Sequence, residues 1–251
     1  PAPMPAAQPP VANGLPPVDL NEIAADDLPL PTPQGRFLVA GTDDVEVFVI
    51  LGRAGYGAIQ STLRRAGIDT RSLGRVLDFG CGVGRVLRYW KAAPAVEMHG
   101  TDLNPDAIAW CRENLAFAQF TTNRLEPHLD YPDNHFGLVY ALSVFTHLPE
   151  EMQVPWLAEL KRVVRPGGHV YFTTHGVSYR AALPPPMRAQ FDADQLVGGG
   201  NDAGSNYYGT FHPTSYVRRA MLDPLRLTLI DFEPEGAKGN PTQDSWLVRK
   251  S

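Results

Sequence analysis

From Arg75 onward the chain alternates two hydrophobic patterns. Short runs rich in β-branched and aromatic residues, "RVLDF", "EMHGTD", "FAQFTT", "FGLVYAL" and "GHVYFTT", predict strands. Between them lie stretches with helical spacing over Arg85–Ala92, Pro105–Ala116 and Glu150–Val164. A further helix is expected over Pro213–Leu222, followed by strands "RLTLIDF" and "QDSWLVRK". Strands separated by helices of this length imply right-handed crossovers and a doubly wound α/β sheet, mostly parallel, with helices on both faces. Only "EPEGAKGNPT" separates the last two strands, too little for a crossover helix, so they should run antiparallel.

Ahead of this alternation, Asp43 to Ala66 carries acids first and arginines last, with helical spacing that we expect to break near Gly52 to Gly57. Residues 34–74 are therefore read as a helical cap on a domain covering 75–251. Ten of the 24 prolines fall within residues 1–33, where fixed φ angles and missing N–H donors oppose helix and sheet. That stretch reads as an extended arm, either a tail or a strap over the site or over the second subunit of a homodimer. The segment 176–211, with "ALPPPMRAQF" and "VGGGNDAGSNYYG", is too long for an idle connection and is expected to be a substrate lid.

Charge narrows the choice of partners. With 27 acidic against 22 basic residues, a net charge of −5, the chain lacks the basic face that nucleic-acid binding requires. Cys81 and Cys111 have neither paired spacing nor companion histidines, which argues against a disulfide framework or a zinc site and for a reducing, cytoplasmic setting. There is no apolar run long enough to span a membrane and no leader pattern, so an integral membrane segment is not expected.

Candidate chemistry begins at the turn after the first strand, "DFGCGVGR". The glycines at 80, 82 and 84 let backbone approach a ligand, yet Asp78 puts a carboxylate at the same mouth, where a pyrophosphate would be repelled. A ligand with both an ammonium and a carboxylate, next to a sulfonium, would find partners there. The zwitterionic end of S-adenosylmethionine matches. Asp102 ends the second strand, where a carboxylate can accept from both ribose hydroxyls, and Asn104 followed by Pro105 already supplies the cap of the next helix.

The motifs "VLDFGCGVGR", "GTDLNP", "YPDNHFGLVYALSVFTHLPEE" and "ELKRVVRPGGHVYFTTHG" resemble, in order, the core of class I S-adenosylmethionine-dependent methyltransferases. The tail "YYGTFHPTSYVRR…QDSWLVRK" is similar to bacterial members that accompany polysaccharide synthesis. The resemblance implies a Rossmann-like, seven-stranded sheet with a reversed last strand. It also implies that Asp78, Gly80 and Gly82 hold the methionine portion, Asp102 and Leu103 the ribose, and Ala141 to Ser143 the methyl-donor site. Cys81 packs inside the turn. Where many members carry an adenine-binding acid after the third strand, this chain offers Asn123, with Arg124 and Leu125 to pack on the ring.

A hydroxyl acceptor must lose a proton, and three histidines stand where a base is needed: His147 and His175 after the fourth and fifth strands, and His212 before Pro213. Glu150 and Glu151 could orient such a base, with the helix dipole as their ordinary explanation. Tyr207 and Tyr208 offer flat, hydrogen-bonding surface for a sugar. The expected activity is therefore O-methylation of a sugar, oligosaccharide or glycolipid hydroxyl. The alternatives are a small natural product as acceptor, a binding module that has lost its chemistry, or a nicotinamide enzyme, which Asp78 opposes. Ser143 and Thr174 replace the acids of metal-dependent relatives, leaving a divalent ion at His147, Glu150 and His175 as a minor alternative. DNA amino-group methylation is excluded by "ALSVFTHLPEE" where an Asn/Asp-Pro-Pro-aromatic run belongs.

Overall fold

The computed structural model describes residues 28–93, 95–238 and 243–251. Most of the proline-rich arm lies outside them. Seven strands form one sheet: β1 (Arg75–Phe79), β2 (Glu97–Asp102), β3 (Ala118–Thr122), β4 (Phe136–Ala141), β5 (Val164–Thr174), β8 (Leu227–Ala237) and β9 (Gln243–Lys250). Their order is β3-β2-β1-β4-β5-β9-β8. β9 runs antiparallel to both of its neighbours and lies between β5 and β8; the pairs from β3 across to β5 are parallel. The strand order reverses between β1 and β4. At such a point the first crossovers leave in opposite directions and open a crevice beyond the strands' carboxyl ends.

Alternation along the strands fills two cores. On one face Leu77, Phe79, Val139 and Phe172 pack against Trp156, Leu157 and Leu160 of α4 (Glu150–Val163). On the other, Val76, Leu138, Tyr140 and Tyr171 meet Ile59 and Leu63 of α2 (Val45–Arg65) and Ile108 and Cys111 of α3 (Pro105–Asn114). Each fully buried Leu, Val or Phe contributes about 1.5–3 kcal/mol by leaving water, and a one-residue slip would turn every one of them from the core it fits into the other.

Three local expectations need correction. α2 is continuous through Gly52 and Gly57, because Gly52 is where the helix packs directly on the Arg85 carbonyl and the Tyr89 ring, with no room for a Cβ. The helix expected from Arg85 is a turn that winds tightly from Leu87 to Ala92, and residues 81–88 beneath α2 are all buried. The helix after Pro213 has ordinary pitch only over Thr214–Tyr216 and continues to Leu222 with wider turns.

The cap also includes α1 (Pro33–Ala40), with Thr32 as N-cap and Pro33 in its first turn, so the end of the expected arm is helical. The insert is more ordered than its composition suggests. It holds a short helix α5 (Pro185–Asp192) and an antiparallel pair, β6 (Val197–Gly200) with β7 (Tyr208–Phe211), and Phe211 bridges His175 at the end of β5. Among the described residues no helix is long and apolar enough to cross a membrane.

Candidate active site

The turn after β1 has its glycines at φ 79°, 52° and 72° (Gly80, Gly82, Gly84), a region that L side chains rarely adopt. Val144 packs on Gly80 and Val39 of α1 on Gly82, closing the turn from two sides. Its N–H groups are committed internally. Gly80 and Cys81 both donate to the Thr101 carbonyl (2.8 and 3.0 Å), Gly84 to the Cys81 carbonyl (2.9 Å), and Gly82 to Asp102 Oδ2 (2.7 Å). A phosphate would therefore find these four donors taken, whereas a cation meets carboxylate.

Asp78 is that carboxylate. It is buried, accepts the Tyr140 hydroxyl at 2.9 Å, and burial pushes its pKa up to about 8, against the help of that hydrogen bond. Arg85, buried at the far end of the turn, is itself pulled down to about 10 by burial. Asp102 is held by backbone: Asn104 N–H donates to Oδ1 at 2.8 Å, and Gly82 N–H donates to Oδ2. Burial raises its pKa too, with those N–H groups opposing. The Leu103 N–H reaches it as well, so of the roughly four acceptor positions of an ionised carboxylate about one is left for a ribose hydroxyl. Asn104 caps α3 through the N–H groups of Asp106 and Ala107, leaving Asp102 outside the cap as expected.

At the adenine end, Asn123 Oδ1 accepts from Thr101 Oγ1 (3.0 Å), Arg124 is exposed, and Leu125 borders the α4 core. Gly204 of the insert sits against Leu103 and Leu125, and its N–H donates to the His147 carbonyl at 2.8 Å. These residues fit S-adenosylmethionine: a buried carboxylate for its ammonium, a second for its diol, and two leucines to flank a flat ring.

The three histidines gather across the crevice, and obligate acceptors fix their tautomers. Nδ1 of His147 lies 2.8 Å from the Tyr208 carbonyl and Nδ1 of His175 3.0 Å from the Thr210 carbonyl, so both nitrogens carry the proton. Tyr208 and Thr210 are alternate residues of β7, whose carbonyls project to one side with the period of a strand. His175 Nε2 then accepts from the Gln243 amide at 3.3 Å. His212 donates from Nε2 to Gln153 Oε1 (3.2 Å), since the amide of Gln153 is oriented by donating to the Phe145 and Leu148 carbonyls. Burial pulls both His175 and His212 down to about 3, and both are closed to solvent. His147 is half-buried; burial lowers its pKa as well, with its bond to the Tyr208 carbonyl working the other way.

The remaining expected residues are scattered around this centre. Glu150 is occupied by the Tyr216 hydroxyl (2.9 Å) and Glu151 is exposed. Tyr207 is 78% exposed, and Tyr208 contributes its carbonyl. Ser143 sits just beyond β4 at φ 60°. Among the described residues no group of three or more His, Cys, Asp or Glu gathers to hold a metal, so the His147, Glu150 and His175 alternative lacks its ligand set. Both cysteines are free and buried. Gln153 and Gln243 went unnoticed in the sequence, because a glutamine in a helix or strand gives no local sign of which imidazole it will reach.

A methyltransferase-domain family model matches residues 76–168. A ubiquinone biosynthesis O-methyltransferase of Aromatoleum aromaticum is 27% identical over 195 residues, 74% of this chain and 79% of that protein. A fatty-acid O-methyltransferase of Mycolicibacterium smegmatis is 33% identical over 147 residues, covering 57% of this chain but half of that relative. Among solved structures, the glycopeptide N-methyltransferase MtfA complexed with sinefungin superimposes with a TM-score of 0.55 at 15% identity, over 78% of this chain and 87% of that one.

Proposed function

Because the chain carries a class I S-adenosylmethionine-dependent methyltransferase domain, we propose that it methylates a hydroxyl oxygen, with His147 as the general base. The tautomer of His147 carries this reading. Its Nδ1 proton is fixed by the Tyr208 carbonyl, so Nε2 presents a lone pair that has no partner among the described residues, on a ring that is not sealed from solvent. His175 and His212 fail the same test: one spends its lone pair on Gln243, and the other is sealed inside the protein. Of the three candidates, His147 remains.

When bound, the donor supplies a methyl group on a sulfonium, a carbon electrophile with a neutral thioether as leaving group. The chain's own residues do the rest. Asp78 meets the ammonium, Asp102 accepts from the ribose, and Leu103 and Leu125 flank the ring. His147 Nε2 takes the acceptor's proton as the oxygen attacks, and the imidazolium keeps its Nδ1–H on the Tyr208 carbonyl. Alignment in a site covered by α1 and the insert contributes the larger part of the rate.

For the acceptor we propose a sugar, oligosaccharide or glycolipid hydroxyl, supported by the aromatic pair Tyr207 and Tyr208 beside His147. A second acceptor class is favoured by a separate observation. Leu38, Leu103, Val177 and Tyr207 are large, apolar and exposed. Leu103 and Val177 follow the carboxyl ends of β2 and β5, and Asn206, beside Tyr207, donates to the Leu38 carbonyl at 3.0 Å. Such a rim suits a quinol or fatty acyl acceptor, in keeping with the relatives' names. Turnover of methyl-labelled donor against matched panels of glycans, phenols and fatty acids decides between them. Donor binding without turnover on any panel would leave a binding module instead.

A further inference from the structure

Gln243 lies at the start of β9, a hundred residues from the β4 turn it touches. It is buried, and its side chain joins three partners. Oε1 accepts from Thr173 Oγ1 at 2.7 Å, while Nε2 donates to Ser143 Oγ at 2.8 Å and to His175 Nε2 at 3.3 Å. Thr173 Oγ1 in turn accepts the Ser143 N–H at 2.8 Å. The amide orientation is forced. Turned over, its oxygen would face the lone pair of His175, because the proton of that ring is held on Nδ1 by the Thr210 carbonyl.

The contact at Ser143 matters because Ser143 adopts a left-handed conformation without being glycine, and such a residue persists only where its surroundings fix it. Ser143 also begins the short segment that ends in His147. Within that segment Thr146 Oγ1 donates to the Ser143 carbonyl (2.7 Å), the two hydroxyls are 3.1 Å apart, and His147 N–H donates to the Val144 carbonyl (2.9 Å). The segment is tied at one end to Gln243 and Thr173, and at the other, through the His147 ring, to β7. We infer that Gln243 is a positioning residue for methyl transfer, anchoring the Ser143–His147 segment and closing the His175 lone pair so that His147 Nε2 is the lone pair offered to the acceptor.

This inference rests on His147 as the base, and its test separates the two. Gln243→Glu keeps the shape but replaces the donating amide with a carboxylate, which draws a proton onto His175 Nε2. Gln243→Leu removes all three bonds. In both, kcat should fall roughly 10–100-fold, the loss expected when a reacting group is displaced by a fraction of an ångström to an ångström. Donor affinity measured by calorimetry should move less than about threefold, because the donor's charged groups are met on β1 and β2. Independently of turnover, the Ser143 amide should exchange with solvent at least about tenfold faster. The ring nitrogen resonances of His147 should shift in both variants, and those of His175 should report protonation in Gln243→Glu. Unchanged Ser143 exchange, or His147 resonances coincident with the native protein, overturns the inference whatever the turnover. So does a rate loss carried wholly by donor affinity. If Gln243→Leu does not fold, the near-isosteric Gln243→Glu gives each of these readings alone. Loss of the base reading would show instead in His147→Ala, as retained turnover.

Discussion

The donor side and the acceptor side of this crevice are built from different material. On the donor side, residues 78–84 and 102–104 lie in two short segments, each reaching from a strand end into the turn that follows it. One carboxylate is buried there and a second half-buried, and the turn's amides are spent on backbone and on Asp102. On the acceptor side, residues from β4, β5, the insert and β9 converge from as far as a hundred positions apart, and the titratable groups facing one another are imidazoles, each lowered in pKa by burial. One side is an acidic pocket awaiting a cation. The other is a wall of imidazoles that burial keeps neutral, and the methyl transfer proposed above would run between the two.

The comparison breaks most sharply at the histidines. His147→Ala should lower turnover by roughly 10²–10⁴-fold, the usual contribution of a positioned base, with donor affinity little changed. His212→Ala should act on stability instead, by about 1–3 kcal/mol, as it leaves the Gln153 carbonyl buried without its donor. Steady-state kinetics and thermal unfolding of the two variants check this. Equal rate losses in both would mean that the acceptor side works as a diffuse polar wall and that no single base stands out.

Next comes pH, which the donor side feels through Asp78. Asp78 has a folded pKa of about 8 against an ordinary carboxylate value of 3.8, so between those limits the folded chain holds a proton that the unfolded chain releases. The contribution of Asp78 to stability without donor therefore falls as pH rises from 4 to 8, while buried His175 and His212, at about 3 against an ordinary 6.5, pull the other way below pH 6.5; the fall due to Asp78 should show above pH 6.5, and Asp78→Asn should remove it. The ammonium of the donor stabilises the ionised form, so binding below pH 8 should release a proton. Affinity should rise by up to about tenfold per pH unit until that value is reached. Calorimetry in buffers of different ionisation enthalpy reads the proton directly; uptake, or none, would mean that Asp78 does not face the ammonium.

Asp102→Ala is expected to weaken donor binding by about 1–3 kcal/mol, since charged hydrogen bonds to the ribose are lost and the Gly82 N–H loses its acceptor. Unchanged affinity for both S-adenosylmethionine and S-adenosylhomocysteine would move the ribose away from β2.

The same division decided what the sequence could reveal. Asp78, the glycines, Asp102 and the Asn104 cap could be read because their geometry follows from a few consecutive residues at strand ends, where turn chemistry and strand period apply. The sheet was legible from alternation, and the antiparallel placement of β9 from the short connection before it. Continuity of α2 was not, because the contact that makes Gly52 an advantage comes from the Arg85 carbonyl, more than thirty positions away. Nor could three equally placed histidines be told apart. What separates them is a carbonyl on β7 and the amides of Gln153 and Gln243, and no periodicity encodes a hydrogen bond across some sixty residues.

The smallest expected effect sits where the two sides touch. Gly204 belongs to the insert on the acceptor side but rests on Leu103 and Leu125 of the donor side, at φ 82°. An alanine there would place its Cβ 2.9 and 3.0 Å from the ends of those two side chains, in a conformation that costs an L residue about 1 kcal/mol. The leucine tips can yield, so the backbone term dominates, and it applies to the closed loop with or without donor. Gly204→Ala should therefore leave the donor's Kd within about twofold while raising both association and dissociation rates roughly fivefold, as the closed loop opens more often. Stopped-flow binding measures both. A change in Kd with an unaltered association rate would show instead that the loop clamps the bound donor, and the acceptor side would then contribute to donor affinity as well as to chemistry.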